Sequence, residues 1–428
     1  MIRIINSMIN SRPTSSITVA AIIGQLFSLA AIPIVSRQYS PADVGYFSAC
    51  LAIGFIAASV ATARIDRAVT LPKDDRDAAI FATGGLLISI TLIAIATCVY
   101  CTIVFFLDFS FVHLWWAIPC LTLAIAWGTI LLQFSVRQRN YTVVCSRNIL
   151  QPSVTALLQV MLGAWTASPV SLTAAASIGR IFGLVSPAKA IHTDLQPVRI
   201  DEFIDRLGNL ICRYRRVLTL GTVAGLLNTA SLQIAIPIVS VLFSGTDAGQ
   251  FAMAQLVLGA PLVLVGTAVG QVFLGDFASD IRNGSGKPNL LFRRTSLWLC
   301  AGALAIGAVV ALFARPLFPL ILGDQWEHAG ILAVAMVPLL VTRFVAAPLA
   351  QTLIVLERQG TQLALDALRL SGIFGTFFFC HFADLGISVA VFAYSAWSAL
   401  CYLAQWTLCR HALNRHVEHE AVQGSRST

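Results

Sequence analysis

The sequence predicts an all-α polytopic membrane protein with about twelve transmembrane helices in two six-helix lobes, related by a parallel pseudo-twofold repeat. Three observations predict this fold class: an apolar composition, long charge-free runs and a duplicated segment. The chain is 57% hydrophobic and 11% charged, with a mean hydropathy of +0.81. A soluble domain carries about 25% charged residues. A chain this long and apolar therefore requires a membrane around it.

The charge-free runs are long enough to cross a bilayer as helices. Residues 78–107, 148–179 and 217–246 contain no Asp, Glu, Lys or Arg. Each run exceeds the roughly 20 residues that span about 30 Å of hydrocarbon. A membrane β-barrel would instead show short alternating segments. We expect no cleavable signal peptide, so the first span serves as the targeting signal.

Apolar runs between charge and turn signals predict six spans in each half of the chain. The first six are 17–36, 44–63, 82–106, 112–133, 146–166 and 171–190, and the second six are 217–241, 249–274, 296–314, 329–353, 361–382 and 387–409.

These spans divide the chain into four parts. They are an N-terminal lobe (1–191), a cytoplasmic amphipathic linker (192–216), a C-terminal lobe (217–410) and a cytoplasmic tail (411–428). Apolar residues recur through the linker, which predicts a helix lying on the inner leaflet. A solvated linker without lipid contact is the alternative. The apolar linker residues are Phe203, Ile204, Leu207, Leu210 and Ile211.

Lys and Arg residues predict the orientation of the chain. They concentrate in the connections after spans 2, 4, 6, 8 and 10, whereas most intervening connections carry none. This positive-inside pattern predicts that both termini are cytoplasmic. These connections also account for the net charge of +8, so we expect no nucleic-acid partner.

One segment of the first half recurs in the second half. Residues 31–47 and 235–251 match at an offset of 204, with 10 of 17 positions identical. Both copies fall on the predicted outer side, which indicates a parallel repeat. Pro33 and Pro237, which occupy matched positions in the two copies, predict bends in their helices. Pro119, Pro338 and Pro348 predict further bends. We expect an outer gate or hinge formed by Pro33, Ser36, Asp43, Gly45, Pro237, Ser240, Asp247 and Gly249.

Several arginines fall inside or beside the predicted spans. Arg180 and Arg343 lie near mid-depth, where an arginine costs about 2.5–3.5 kcal/mol. Because deep arginines outnumber deep acids, a cavity that they line would favour an anion such as phosphate. The candidate set comprises Arg64, Arg67, Arg147, Arg180, Arg343 and Arg369, with Asp66 and Asp366 as charge partners.

Plainer alternatives remain for some of these charges. Arg64, Arg67 and Arg147 lie at inner ends of spans 2 and 5 and could extend to the headgroups. Asp366 and Arg369 are three residues apart and could neutralise each other.

Other motifs in the sequence favour a structural role over a chemical one. Cys98 and Cys101 form a CxxC in mid-span, best interpreted as two buried or lipid-facing thiols. Histidines of the C-terminal tail are too irregularly spaced to favour a metal site, so we expect no metal and no cofactor. Gly221-x-x-x-Gly225 and Gly266-x-x-x-Gly270 predict close helix contacts.

The segment Ile34-Val-Ser-Arg-Gln-Tyr-Ser-Pro-Ala-Asp-Val-Gly-Tyr-Phe47, followed by Ala63-Arg-Ile-Asp-Arg-Ala-Val-Thr-Leu-Pro-Lys-Asp-Asp75, resembles a family motif. The family is that of the oligosaccharide flippases of O-antigen and capsule pathways, in the multidrug/oligosaccharidyl-lipid/polysaccharide exporter superfamily. Its members typically show Arg-Leu-Tyr-Ser-Pro-Glu-Asp-Phe-Gly-x-Phe and then Arg-Tyr-Glu-x-Ala-Ile-x-Leu-Pro. The resemblance is specific over residues 15–80, and Asp66 stands where the family usually has Glu.

The resemblance implies a flippase of the bacterial inner membrane that works by alternating access. It would move undecaprenyl-diphosphate-linked oligosaccharide from the inner to the outer leaflet for O-antigen, capsule or exopolysaccharide synthesis. It would not be an enzyme. Expected partners are that substrate, membrane lipids, a polysaccharide polymerase and the chain-length machinery.

Two other function classes stay open at this point. A multidrug or cation antiporter of the same fold would need deep carboxylates, and predicted spans 1 and 7 carry none. A polymerase or ligase of the O-antigen type usually carries a large outer loop with catalytic Arg and His, whereas the outer connections predicted here are short.

Overall fold

The computed structural model describes residues 12–107, 116–194, 199–283, 288–356 and 358–426. All regular elements in these ranges are helical, with no strand among them. The chain divides into two compact units, residues 1–249 and 250–428.

The described residues of the first unit form nine α-helices and the start of a tenth. They are α1 (Arg12–Gln38), α2 (Pro41–Ala61), α3 (Ile65–Ala68), α4 (Asp75–Leu107), α5 (Ala117–Arg137), α6 (Tyr141–Trp165), α7 (Pro169–Asp194), α8 (Ile200–Gln233) and α9 (Ala235–Leu242).

Helix α10 (Gly245–Asn283) begins in the first unit and continues into the second. The second unit then contains α11 (Pro288–Leu322), a 3₁₀ turn (Asp324–Trp326), α12 (Glu327–Ala335), α13 (Val337–Leu349), α14 (Gln351–Val355), α15 (Gln359–Phe382) and α16 (Ile387–Arg426).

The helices confirm the predicted fold class of a polytopic all-α protein. Eight described helices are long and apolar enough to cross a membrane, and two bent pairs raise the number to ten. The bent pairs are α8 with α9, at 53°, and Asp324–Ala335 with Val337–Leu353, at 55°. Helices α6 and α10 occupy the two remaining predicted spans, so each predicted span has a helix or a bent pair in its place.

Proline explains both bends, because its nitrogen has no hydrogen to donate to the preceding turn. The break at Ile234 lies three residues before Pro237, and the break at Met336 lies two before Pro338. Helix α1, in contrast, continues through Pro33 without a break. Pro119 lies in the first turn of α5, where a missing donor costs nothing. The expected interruption is therefore absent at these two prolines.

From Ile200 onward, the predicted linker is the first part of one long helix; residues 195–198 of the linker lie outside the described ranges. Helix α8 runs without a break from Ile200 through the residues predicted as span 7. Phe203, Leu207 and Leu210 pack against a buried cluster that includes Phe81. Part of the apolar face of the linker thus packs on α4, whereas Ile204 is 60% exposed and leaves the predicted contact with the inner leaflet open.

Ion pairs fix the start of α8 to the start of α4. Arg206 Nη1 lies 3.2 Å from Asp77 Oδ1, and its Nη2 lies 3.0 Å from Glu202 Oε1. Arg76 Nη2 is 3.5 Å from the same Glu202 oxygen. The linker segment is therefore attached to the first unit by both apolar packing and charge.

In the second unit, the last helix extends beyond the predicted span. Ala412 and Leu413 are buried in a cluster with Phe273, Phe277 and Phe292. The start of the predicted solvated tail is thus a helical part of the core of this unit.

Candidate functional site

Two arginines of the first unit come together because α6 and α7 pack closely. A Cβ atom added at Gly179 would collide with Thr155 of α6. A Cβ atom added at Gly183 would lie 2.9 Å from Gln151 Cβ of the same helix. Only glycine allows this approach. It brings Arg147 of α6 near Arg180 of α7, and the two guanidinium groups repel each other electrostatically.

Helices α2 and α5 complete the surroundings of this arginine pair. Arg180 Nη1 donates a 2.9 Å hydrogen bond to Ala176 O, and its Cζ lies 5.8 Å from the ring centroid of Phe55. Arg147 Nη2 lies 3.0 Å from the position that a Cβ at Gly128 would take. Both arginines are half-buried.

The arginine pair has donors to spare. Arg147 Nε is buried without a hydrogen-bond partner, and within the described ranges neither arginine forms an ion pair. Two adjacent cations away from water are costly unless a negative charge compensates them. Guanidinium groups bind phosphate in a bidentate manner. The arrangement therefore suits an anion with several oxygens, such as a phosphate or diphosphate.

The predicted cluster of Arg64, Asp66 and Arg67 does not converge. Arg64 has a left-handed backbone (φ 58°), and its Nε donates a 3.0 Å hydrogen bond to Gly221 O. Asp66 is buried, while the Arg67 side chain is 67% exposed, and Arg67 Nε lies 4.0 Å from Asp66 Oδ2. Arg64 thus points to α8 and Arg67 points outward.

Both Gly-x-x-x-Gly motifs have other uses than the predicted helix contacts. A Cβ at Gly225 would lie 2.8 Å from Arg64 Cζ, so Gly221 and Gly225 form a notch for the Arg64 side chain. Gly266 has open space where its side chain would be. It lines a cavity together with Gly270.

That cavity lies in the second unit, between α10 and α13, and has a volume of about 420 Å³. Its lining is mostly apolar, with Gln255 and Gln271 on α10 and Arg343 on α13. Arg343 forms no ion pair with any described residue. The cavity is a second candidate site for an anionic ligand with an apolar part.

Arg369 has a different environment in the same unit. It is 3% exposed, its Nη1 lies 3.5 Å from Asp366 Oδ1, and its Cζ lies 4.2 Å from the Tyr402 ring centroid. Gln362 donates to both Asp366 oxygens at 3.2 Å. Enclosed in this network, Arg369 is placed to hold α15 against α16. This geometry favours the alternative in which Asp366 and Arg369 neutralise each other.

The repeated outer motif caps a helix in each copy. In the first copy Ser40 Oγ lies 2.6 Å from Asp43 Oδ2, and Asp43 N donates to Ser40 Oγ at 3.2 Å. In the second copy Ser244 Oγ lies 2.6 Å from Asp247 Oδ2, and Asp247 N donates to Ser244 Oγ at 3.0 Å. Such a capping box satisfies the free donors at a helix start.

The repeated glycines lie where α2 and the start of α10 cross inside the first unit. A Cβ at Gly45 would collide with Gly245 O, and a Cβ at Gly249 would collide with Pro41 O. The contact is symmetric, because residues 41 and 45 are the repeat equivalents of 245 and 249. Next to it, Ser36 Oγ donates to Pro33 O at 3.1 Å, whereas Ser240 Oγ is buried without a partner.

Two residues that hold distant segments together cannot be recognised as such from the sequence. Arg137 donates to Pro72 O at 2.6 Å and to Asp75 Oδ1 at 2.9 Å, and so fixes the loop that follows α3. Tyr39 is fully buried, and its hydroxyl donates to Gln159 O at 2.9 Å and accepts from Ser171 Oγ at 3.2 Å. Both act across more than 60 residues of sequence, which no local pattern reveals.

The chain has the fold of the MATE transporters. It is similar to an inward-facing multidrug resistance MATE family transporter of the MOP superfamily (TM-score 0.65, 13% identity, 94% of this chain and 99% of that one). It is also similar to a Vibrio cholerae MATE transporter (TM-score 0.59, 14% identity, 94% of this chain and 96% of that one). A MOP superfamily transporter from Pyrococcus furiosus is similar as well (TM-score 0.58, 15% identity, 94% of this chain and 96% of that one).

A sequence family adds a second line of comparison. Residues 214–331 match a family described as polysaccharide biosynthesis protein. No curated protein matches the chain. This family match and the shared fold support the resemblance seen in the sequence, and the proteins that share the fold are transporters.

Proposed function

We propose that this protein is a flippase for an undecaprenyl-diphosphate-linked oligosaccharide in the bacterial inner membrane, with cytoplasmic termini and an alternating-access cycle. The observation that carries the proposal is the pair Arg147 and Arg180. These two half-buried cations lie together without a carboxylate partner among the described residues.

In the proposed mechanism, the arginine pair binds the diphosphate of the lipid carrier. Each guanidinium group replaces water around the phosphate oxygens with charge-assisted hydrogen bonds, which are about twice as strong as neutral ones. Phe55 limits the access of water to Arg180 from one side. The pair then compensates the charge that must cross the hydrocarbon.

The cavity at Arg343 supports the same function from the second unit. Its mixed lining of glutamines, one arginine and apolar side chains suits a sugar or a second anionic group better than a hydrophobic drug cation. The Pyrococcus furiosus transporter offers a parallel, because a reversed polarity of its binding pocket suggests a different function for that protein.

A cation antiporter is less well supported. Such a transporter needs a buried carboxylate that can gain and lose a cation. The buried acidic residues in the described ranges are Asp66 and Asp366. Asp366 faces Arg369, and Arg67 is the nearest cation to Asp66. The proposal therefore favours an anionic substrate.

The experiment is a comparison of export in cells of the source organism that carry single variants. Arg147→Gln, Arg180→Gln and Arg343→Gln should each reduce surface polysaccharide at normal protein levels. Lipid-linked oligosaccharide should accumulate on the inner side of the membrane. Arg139→Gln, which removes an exposed arginine, is the matched control and should export normally.

Each result has a distinct meaning. Accumulation of trapped lipid-linked units supports a flippase, whereas single repeat units at the cell surface would indicate a polymerase. Normal export by both Arg147→Gln and Arg180→Gln would overturn the assignment of the arginine pair.

A further inference from the structure

Helix α8 carries a run of exposed arginines at the point where it changes from polar to apolar. Arg213, Arg215 and Arg216 are all exposed. The preceding turns hold the ion pairs with α4, and the following turns belong to the charge-free run 217–246. The arginines therefore mark the level at which α8 enters the membrane.

Two of these arginines lie on the lipid-facing side of the helix. Residues three, four and seven apart share a helix face, so Arg213 and Arg216 are in line with Val217, Leu220 and Val223. These three apolar side chains are 40%, 71% and 53% exposed. A surface of this kind in a membrane-spanning helix faces lipid tails.

A neighbouring side of the same turns faces protein. Tyr214 stacks on Phe81 with ring centroids 6.0 Å apart, and Leu210 and Leu218 are buried. Because this packing fixes the rotation of α8, Arg213 and Arg216 are directed away from the protein toward the edge of the bilayer.

No carboxylate competes for these arginines among the described ion pairs. The acidic residues of α8 lie at its start, and Glu202 is already engaged by Arg206 and Arg76. Arg213 Cζ lies 5.6 Å from the Tyr214 ring centroid, a contact that leaves the guanidinium hydrogens available.

We propose that Arg213 and Arg216 form a binding site for the phosphate headgroup of an anionic phospholipid, whose acyl chains lie along Leu220 and Val223. Arg215, which is exposed at the same level of the helix, adds to the local positive charge. Basic residues next to a membrane attract anionic lipids by about 1 kcal/mol each. A guanidinium group adds the bidentate geometry that fits phosphate. This inference does not depend on the proposed transport function.

The site also has a consequence for the first unit. One turn beyond Val217, Gly221 accepts the hydrogen bond from Arg64, and Gly225 completes the notch for its side chain. A lipid that holds the start of α8 would also fix the helix surface on which Arg64 lies. Anionic lipid would thereby stabilise the position of a residue in the predicted substrate cluster.

The experiment is native mass spectrometry of the full-length protein, purified and equilibrated with phosphatidylglycerol and phosphatidylcholine in equal amounts. Wild-type protein should retain phosphatidylglycerol preferentially. In R213Q/R215Q/R216Q the preference should fall about a hundredfold, since each arginine contributes about fivefold, equivalent to about 1 kcal/mol. R213K/R215K/R216K keeps the charge and should keep most of the preference.

The control is R139Q/R199Q/R415Q, which removes three exposed arginines that lie elsewhere. It should bind phosphatidylglycerol as the wild type does, and an equal loss would show that only net charge matters and overturn the site. Unchanged retention in R213Q/R215Q/R216Q would also overturn it. Excess inorganic phosphate should leave the lipid bound, because it cannot replace the acyl-chain contacts. Displacement by phosphate would refute the lipid assignment.

Discussion

The two units treat buried arginine in opposite ways. In the first unit Arg147 and Arg180 are near enough to repel each other, and neither has an acidic partner among the described residues. In the second, Arg369 is almost fully buried against Asp366 and Tyr402. All three come from apolar stretches of sequence. We therefore propose that the absence of a compensating carboxylate, rather than depth in the membrane, marks a candidate ligand site.

The prediction with the largest expected effect concerns the stability of the second unit. Arg369→Leu leaves Asp366 buried without its counter-charge, which we expect to cost about 3–5 kcal/mol of unfolding free energy. Chemical unfolding of the purified protein in detergent measures this loss.

A double variant and a matched single variant serve as controls. Asp366→Leu/Arg369→Leu should recover most of the stability, because it removes both charges. Arg180→Leu should lose little or gain stability. If Arg180→Leu destabilised the protein as strongly as Arg369→Leu, the distinction between the two groups would fail.

The sequence contains the spans and the deep arginines, but not their partners. Charge-free runs of about 30 residues predict helices, because the backbone in lipid requires a helix or a closed barrel and barrel strands are short and alternating. Arg147 and Arg180 lie 33 residues apart on different helices, so their meeting depends on packing at Gly179 and Gly183. Arg64 and Gly221 are 157 residues apart. Such contacts have no local pattern.

The duplicated segment shows the same limit at the level of the backbone. Ala-Ile-Pro-Ile-Val-Ser occurs in both copies, yet the helix continues through Pro33 and breaks before Pro237. The Ser–Asp cap at the helix start recurs in both copies, because it depends only on residues inside the motif. Features contained within the motif are predictable from it, and features set by neighbouring helices are not.

An intermediate effect is expected when the arginine pair is displaced without loss of charge. Gly128→Ala places a Cβ 3.0 Å from Arg147 Nη2. The flexible arginine should move, so affinity for a prenyl diphosphate should fall about fivefold, equivalent to about 1 kcal/mol. Isothermal titration of the purified protein measures this change. Gly375→Ala, which adds its Cβ in open space, should leave the affinity unchanged. An equal fall in both variants would contradict this role of Gly128.

A further prediction compares the aromatic neighbours of the two arginine groups. Tyr402→Leu removes a ring 4.2 Å from Arg369 Cζ, and Phe55→Leu removes one 5.8 Å from Arg180 Cζ. A buried cation–π contact is worth about 2 kcal/mol and a more exposed one about 0.5–1 kcal/mol. Thermal unfolding should therefore show the larger loss for Tyr402→Leu, and the reverse order would contradict the assigned environments.

The most direct test of the central claim is the affinity of purified protein for farnesyl diphosphate compared with farnesyl monophosphate. A charge-assisted hydrogen bond contributes about 2 kcal/mol, so each arginine should account for about thirtyfold in affinity. We expect the wild type to prefer the diphosphate and Arg147→Gln/Arg180→Gln to lose this preference, while Arg139→Gln keeps it. Equal affinity of the wild type for both lipids, or an unchanged preference in the double variant, would contradict the assignment of Arg147 and Arg180 as the diphosphate site.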